Sequence, residues 1–392
     1  MHIALLGRQP ALSIAELERV YPRVSWFSAE SALVDTDSID VQQLGGTQKA
    51  GKVILELPVA EWRRTSDAIV RHYAKAWAGR EGKITLGLSA YGFTVSPRDL
   101  QKVGIILKSK LKQSGVSLRL IPNQEQALNS ATSHHNKLGL SENKVELLIV
   151  KGGSTIAVVE STGSQNITAL AARDQGRPRR DAFVGMLPPK LAQIMINLAG
   201  PITKSPTSDL AYPRILDPFC GTGVLLQEAS LMRYAVYGTD LSEKMIRYSR
   251  DNLNWLEDKY SFTTDWYLHE GDAVDTKWQQ PIDAVVCETY LGQPFSAPPS
   301  SAKLTEVRGN CNHIITGFLK NLAPQIAPGT PVVMAVPAWK STSDSFTHLP
   351  FIEHVEDFGF ERVKFETIKP EQLLYFRPDQ VVAREILVLV KK

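Results

Sequence analysis

The sequence has few cysteines, no long apolar run and little net charge, and each shortage excludes a class of protein. Three cysteines, Cys220, Cys287 and Cys311, are too few and too scattered for a disulfide framework or a zinc site. No apolar run approaches the roughly 18 residues that a membrane helix needs. The first residues lack the charged and then apolar pattern of a signal peptide. We therefore expect a cytoplasmic protein with no membrane segment and no metal site.

The net charge of +3 is small, but it is unevenly distributed along the chain. Residues 101–180 hold 12 basic and 5 acidic side chains, whereas residues 181–392 hold 20 basic and 25 acidic ones. A basic segment of this kind favours a polyanionic partner, although a solvated lysine-rich surface would give the same count. The basic residues of the segment that we expect to lie on one solvent-facing side are Lys102, Lys108, Lys110, Lys112 and Arg119.

Hydrophobic periodicity divides the chain into four parts. Residues 1–58 predict a small α+β unit, which begins with the strand "HIALLG" and a helix capped by Ser13. Residues 59–165 predict a second α+β unit that ends in a hairpin turning at Gly152 and Gly153. Residues 166–185 lack periodicity and predict a linker. From residue 186 to 392, strands and helices alternate, which indicates a mostly parallel, doubly wound α/β sheet.

The segment "RILDPFCGTGVLLQEA" places Asp217 at a strand end, followed by a glycine loop and a helix. Gly221 and Gly223 allow a ligand to approach the backbone, and the helix N-terminus offers free N–H groups. The segment has no Lys-Ser or Lys-Thr after the glycines, so it is not a P-loop. It also lacks the third glycine of the dinucleotide fingerprint.

Two further acidic residues follow the next two predicted strands. Asp240 ends "YGTD" at the position where an acidic residue binds a ribose diol in nucleotide-binding α/β folds. Asp272, in "EGDAVD", could accept a hydrogen bond from an adenine amine. Either residue alone could merely cap a helix, but together with the glycine loop they indicate an adenosine-bearing cofactor without a phosphate chain. S-adenosylmethionine fits this description best.

Three segments carry a resemblance to a known family: "DPFCGTG", "MLPPKLAQIMINLAG" and "IALLGRQPALSIAELERV". They resemble the THUMP-domain tRNA (guanine-N2) methyltransferases. The resemblance implies an N-terminal ferredoxin-like unit, a THUMP RNA-binding unit and a C-terminal Rossmann-like methyltransferase domain with a reversed last strand. The THUMP unit is recognised mainly by its position, length and charge. A tRNA substrate is implied as well, and some members of the family need a small activator subunit.

The resemblance also implies roles for particular residues. Apart from the resemblance, the arginines at the domain junction extend the basic segment, so they are expected to contact RNA phosphates together with the basic residues above, although a solvated linker would also explain them. The residues expected to contact the cofactor are Asp217, Phe219, Gly221, Gly223, Asp240, Leu241, Asp272, Ala273 and Glu288. Those expected to contact RNA are Lys108, Lys110, Lys112, Arg119, Arg177, Arg179 and Arg180, with Arg173 nearby.

The segment "DAVVCETYLG" occupies the position of the family's catalytic loop but departs from its pattern. The family has Asp-Pro-Pro-Tyr or Asn-Pro-Pro-Tyr, in which two acceptors hold the amine that is methylated and the Tyr stacks on the base. Here the expected catalytic residues are Glu288, Thr289 and Tyr290. Without proline's fixed φ, Thr289 is expected to hold its carbonyl less rigidly.

The altered loop leaves several functions open. It could methylate the same guanine amine with altered geometry, or it could act on another base or nucleophile, including one in DNA. The domain could also bind cofactor and RNA without catalysis. Arg384, near the start of the last predicted strand, resembles the family's C-terminal segment, and a salt bridge would explain it equally well.

Overall fold

The computed structural model describes residues 1–181, 186–295, 297–341 and 345–392. The chain forms two compact units, Met1–Leu170 and Ala171–Lys392. No helix among the described residues is long and apolar enough to cross a membrane.

The first unit is an eight-stranded sheet with helices packed on it. Its strands are β1 (His2–Leu6), β2 (Val24–Ser28), β3 (Ser31–Val34), β4 (Thr47–Pro58), β5 (Lys83–Tyr91), β6 (Ser117–Leu120), β7 (Lys144–Lys151) and β8 (Thr155–Ser164). Its helices are α1 (Pro10–Val20), α2 (Trp62–Ala76), α3 (Pro97–Gln113) and α4 (Ser130–His135), and α5 (Ile167–Gln175) runs across the boundary. A 3₁₀ turn lies at Val41–Gln43.

The strand order of this sheet is β2-β3-β1-β4-β8-β7-β5-β6. It includes strands from both of the N-terminal units that the sequence predicts, because β4 pairs with the whole of β8 from Lys49 to Pro58. The predicted boundary at residues 58 and 59 therefore falls within one continuous sheet, and the division into two units at that point stays a prediction. The predicted linker 166–185 begins with α5 instead of irregular chain, and its last four residues, 182–185, lie outside the described residues.

Local sequence explains α3 well and α1 less well. Ser96 accepts a hydrogen bond from the Asp99 N–H and Pro97 follows it, so a serine cap and a proline in the first turn define the start of α3. Helix α1 starts at Pro10 after Gln9, so the predicted cap at Ser13 is wrong. Proline fits the first helical position, and Ser13 instead lies buried within the helix, donating to the Gln9 carbonyl.

The second unit is the predicted doubly wound α/β domain. Its first strands are β9 (Arg214–Asp217), β10 (Ala235–Asp240), β11 (Trp266–Glu270), β12 (Ala284–Glu288) and β13 (Pro331–Lys340). The later strands are β14 (Phe346–Thr347), β15 (Phe360–Arg362), β16 (Leu374–Tyr375) and β17 (Val382–Lys391). Its helices are α6 (Pro189–Leu198), α7 (Val224–Leu231), α8 (Glu243–Tyr260) and α9 (Ser301–Leu322), with 3₁₀ turns at Ala323–Gln325, Pro350–Phe358 and Pro370–Gln372.

The main path of the second sheet is β11-β10-β9-β12-β13-β17-β15. Strands β11, β10, β9, β12 and β13 are parallel, and β17 runs antiparallel to β13. The predicted Rossmann-like domain with a reversed last strand is therefore confirmed. Because parallel strands end at one edge of the sheet, the loops after β9, β10, β11 and β12 all lie along the edge where such folds bind ligands.

Candidate active site

The glycine loop between β9 and α7 has a backbone that only glycine adopts without strain. Gly221 has φ of +51° and Gly223, the N-cap of α7, has φ of +77°. A Cβ on Gly223 would lie 2.8 Å from the Oγ of Ser249. Gly221 is therefore required by its conformation, and Gly223 is required both by its conformation and by the close packing of α8.

Neighbouring elements hold this loop in place. The Cys220 N–H donates to the Thr239 carbonyl at 2.9 Å, which ties the loop to β10. From α8, the Ser249 hydroxyl donates to the Gly221 carbonyl at 2.9 Å, and the Asn252 amide donates to the Thr222 carbonyl at 2.8 Å. The loop is thus held in shape by the protein itself, as a preformed binding site requires.

Asp240, the last residue of β10, faces the same loop. Its Oδ2 accepts the Gly221 N–H and its Oδ1 accepts the Ser242 N–H, each at 2.9 Å. Burial raises the pKa of this carboxyl, and the two N–H donors oppose that rise. Leu241 follows with 70% of its surface exposed, which leaves an apolar face beside the carboxylate.

Asp272 and Ala273 lie just beyond the end of β11, at the same edge of the sheet. The half-buried Asp272 accepts the Val274 N–H through Oδ1 at 3.1 Å, while Ala273 is buried. A carboxylate oxygen and a small buried residue thus follow the strand next to β10, where the sequence predicts the adenine end of a cofactor.

Asp217 is buried, whereas a carboxylate that contacts a ligand must be accessible to it. Its side chain is only 2% exposed, and its Oδ1 accepts the Phe219 N–H at 3.1 Å. Burial raises the pKa of this carboxyl well above its usual range, and the nearby charges of Asp240 and Glu288 raise it further. Asp217 therefore shapes the loop, while half-buried Phe219 packs edge-on against Phe318.

The loop after β12 is held by hydrogen bonds that the sequence does not reveal. Thr289 is buried, and both its N–H and its hydroxyl donate to the Ala335 carbonyl, at 3.0 Å and 3.1 Å. Two hydrogen bonds to β13 thus restrain Thr289 where the family has a proline. None of the described residues donates to the Thr289 carbonyl oxygen. Tyr290 is 42% exposed and can meet a ligand.

Glu288, the last residue of β12, forms an ion pair with Arg384 of β17. The Arg384 Nε donates to the Glu288 Oε1, and the two side chains are 9% and 16% exposed. Arg384 lies opposite Pro337 of β13, so its side chain reaches past that strand to the end of β12. The salt bridge considered for Arg384 is confirmed, and its partner is Glu288, the first of the three expected catalytic residues.

The basic residues fall into two groups, and the first lies in the second unit. Arg173 is buried and pairs with Glu228 through two hydrogen bonds of 2.6 Å and 3.0 Å, so it is not available to phosphate. Arg177 is buried too, at 3% exposed, which contradicts a phosphate contact in this conformation. Arg179 and Arg180 are exposed, and Arg179 pairs with Asp251.

The second basic group surrounds a cavity of about 630 Å³ in the first unit. Lys108 and Lys112 of α3 and Arg119 of β6 line it, together with Lys83, which the sequence does not single out. Lys110 is exposed on the same helix but does not line this cavity. Three of the four cations predicted to bind RNA in this segment are therefore brought together.

Nucleophilic cysteine chemistry and metal binding have less support at this edge of the sheet. Burial raises the pKa of the Cys220 thiol and of the Cys287 thiol well above the usual range, so neither is an activated nucleophile. Within the described ranges, no cluster of three or more His, Cys, Asp or Glu side chains could hold a metal ion.

Residues 177–313 match the family model of the RMKL-like methyltransferase domain. The second unit therefore contains the segment that matches this methyltransferase domain model. The glycine loop, Asp240, Asp272 and Glu288 all lie in the matched part of this domain, whereas Arg384 lies beyond it.

Known proteins resemble the chain over different lengths. A tRNA (guanine(10)-N2)-dimethyltransferase of Methanothermobacter thermautotrophicus is 32% identical over 166 residues, which are 42% of this chain and 43% of that protein. The protein of the same name from Pyrococcus abyssi is 34% identical over 123 residues, 30% of each. The chain thus matches less than half the length of these relatives. The crystal structure of TrmN from Thermus thermophilus has the same fold over 100% of this chain and 99% of its own, with a TM-score of 0.52 and 18% identity.

Proposed function

We propose that this protein is an S-adenosylmethionine-dependent RNA methyltransferase that modifies the exocyclic N2 amine of a guanosine in tRNA. The observation that carries the proposal is the juxtaposition of the preformed glycine loop with the acceptor groups of Glu288 and Thr289 at one edge of the sheet. The methyltransferase domain and the tRNA-modifying relatives support it.

The residues present fit the proposed cofactor. Each carboxylate oxygen of Asp240 accepts one backbone N–H and retains a lone pair for a ribose hydroxyl. Gly221 and Gly223 bring the backbone close to the ligand, and exposed Leu241 offers an apolar surface to an adenine ring. S-adenosylmethionine supplies an electrophilic methyl group on a positively charged sulfonium. The carboxylates of Asp240 and Glu288 favour a cation at this edge.

The loop after β12 supplies the groups that would hold the acceptor. The amine of guanine is a weak nucleophile because its lone pair is delocalised into the ring. Glu288 Oε2 and the Thr289 carbonyl accept no hydrogen bond from the described residues, so they can accept the two N–H groups of that amine and orient its nitrogen. Tyr290, exposed beside them, can stack on the extruded base in place of the family's tyrosine.

The first unit would bind the RNA backbone. Lys83, Lys108, Lys112 and Arg119 line one cavity, and cations grouped in this way attract phosphates without regard to sequence. The proposal includes a cytoplasmic location, which the three unpaired cysteines favour. It also includes a small activator subunit, which the family resemblance implies.

Labelled S-adenosylmethionine and unmodified tRNA test the proposal. We expect one guanosine to acquire label as an N2-methyl group, identified by nucleoside mass spectrometry. The variant Glu288→Ala should lose the transfer yet keep RNA affinity, whereas Glu306→Ala, on the exposed surface of α9, should change neither. Label in another nucleoside, or in DNA offered in parallel, would identify a different acceptor.

A second candidate is a cofactor- and RNA-binding protein without transfer activity. The ion pair between Glu288 and Arg384 favours it, because one carboxylate oxygen is already occupied. This candidate predicts cofactor binding and salt-dependent tRNA binding, with no labelled product and no effect of Glu288→Ala on any nucleoside.

A further inference from the structure

The guanidinium of Arg384 has more donors than the structure uses. An arginine side chain carries five N–H donors in a planar fork. In Arg384 only Nε has a hydrogen-bond acceptor among the described residues, and that acceptor is Glu288 Oε1. The residue is 8% exposed, and its side chain reaches the end of β12, where the acceptor base would bind. Donors in such a place are available to a ligand.

The strand that carries Arg384 holds the guanidinium in a fixed position. Arg384 lies within β17, which pairs with β13 over the length of both strands. The next residue, Glu385, is buried and shares a hydrogen bond of 2.6 Å with His348 Nδ1. His348 is fixed in turn by the Arg308 Nε, which donates to its carbonyl at 2.7 Å. A side chain on a paired strand is positioned more accurately than one on a loop.

The site therefore presents acceptors and a donor side by side. Glu288 Oε2 and the Thr289 carbonyl are acceptors, and the remaining Arg384 N–H groups are donors. A carboxylate with both oxygens unoccupied could take the N1–H and the N2–H of guanine together. Because Arg384 donates to Oε1, the carboxylate cannot accept both of these N–H groups. The site therefore favours an edge of the base where an amine adjoins an unprotonated ring nitrogen.

Guanine has such an edge on the side of its N2 amine that faces N3. We propose that Arg384 is a specificity-determining residue that donates a hydrogen bond to N3 of the acceptor guanine while Glu288 and Thr289 accept from its N2 amine. This inference rests on the proposed function and adds the orientation of the base. It also explains why a planar arginine adjoins the loop, since a lysine would present a point charge without the fork.

The test uses tRNA in which the labelled guanosine is replaced by 3-deazaguanosine, where a C–H stands in place of N3. The wild-type protein should methylate the natural tRNA about 10- to 100-fold faster, because one charge-assisted hydrogen bond is lost. Arg384→Met keeps an unbranched side chain as far as the Nε position and removes every donor. With this variant the ratio between the two tRNAs should fall to about one, whatever its absolute rate.

A binding measurement replaces the rate if Arg384→Met transfers no methyl group. The affinities of the two tRNAs are then compared with S-adenosylhomocysteine present, after thermal unfolding confirms that the variant is folded. The wild type should prefer the natural tRNA and the variant should not. Equal preference in wild type and variant, or none in either, overturns the inference. Absence of label from wild-type reactions instead refutes the proposed function, and the inference fails with it.

Discussion

The carboxylate of Asp240 accepts the backbone N–H of Gly221 at 2.9 Å, so a strand end and a glycine loop 19 residues apart form one unit. The same carboxylate also accepts the Ser242 N–H. The Asp240 side chain therefore holds the shape of the loop and, under the proposed function, also binds the ribose of the cofactor.

Asp240→Asn should weaken cofactor binding about 10- to 100-fold, because an amide has only one acceptor oxygen for two backbone N–H groups and the ribose. Isothermal calorimetry with S-adenosylhomocysteine measures this loss. Asp258→Asn, an exposed position on α8, is the matched control and should bind normally. Unchanged affinity in Asp240→Asn would remove the residue from the cofactor site.

Gly223→Ala should destabilise the protein and weaken the cofactor site. A positive φ costs a non-glycine residue about 1–2 kcal/mol, and the added Cβ would also crowd Ser249. Urea unfolding gives the change in the free energy of unfolding. Gly309→Ala is the control, since nothing lies within 4 Å of its Cβ position in α9, and alanine should stabilise that helix by up to about 1 kcal/mol.

Asp217→Asn should change how stability depends on pH. Burial raises the folded-state pKa of Asp217 well above the unfolded value of about 3.9. The stability contributed by its proton is fully present below the unfolded pKa and is lost as pH rises through the folded pKa. Asparagine keeps the acceptor for the Phe219 N–H and cannot ionise.

The wild type should therefore lose stability relative to Asp217→Asn as pH rises from about 4, and the variant should be the more stable protein at neutral pH. Urea unfolding at a series of pH values measures both curves. Parallel curves would show that Asp217 does not carry the raised pKa.

Glu228→Gln should destabilise the second unit by about 3–5 kcal/mol, because it leaves the buried guanidinium of Arg173 without its charged partner. Glu306→Gln, which breaks the exposed pair with Lys303 on α9, provides the contrast and should have little effect. Urea unfolding of both variants measures the difference. Equal, small effects would mean that a neutral amide in place of the Glu228 carboxylate satisfies the guanidinium.

Lys108→Ala and Lys112→Ala should each weaken tRNA binding without changing which nucleoside is methylated. Each lost phosphate contact should lower the slope of log K against log salt by about one. Fluorescence anisotropy over a range of salt concentrations measures the slope. Lys75→Ala, on an exposed part of α2 outside the cavity, should retain the wild-type slope.

The features that could be predicted from the sequence are those that depend on residues close together along the chain. The glycine loop after β9 and the acids after β10 and β11 each lie within a short segment, so periodicity and residue type indicate them. The reversed last strand is also confirmed, as the family resemblance implied.

Features that depend on distant pairing could not be predicted. The Ala335 carbonyl that holds Thr289 is 46 residues away in the chain, and Arg384 is 96 residues from Glu288. The pairing of β4 with β8 joins two predicted units in one sheet. Hydrophobic periodicity does not indicate which strands pair, so this pairing could not be predicted either. Arg173 and Arg177 lie in a segment whose composition is typical of a solvated basic linker, yet packing buries both side chains.

The reversed direction of β17 has a consequence for how this active edge can change. A parallel strand reaches the edge with its final residues, where a substitution also alters the loop that follows. Strand β17 reaches it with its opening residues, and most of the positions after Arg384 are apolar residues of the core. Under the inference drawn above, a substitution at position 384 would change the group that meets the acceptor base, while the remainder of the strand keeps its packing.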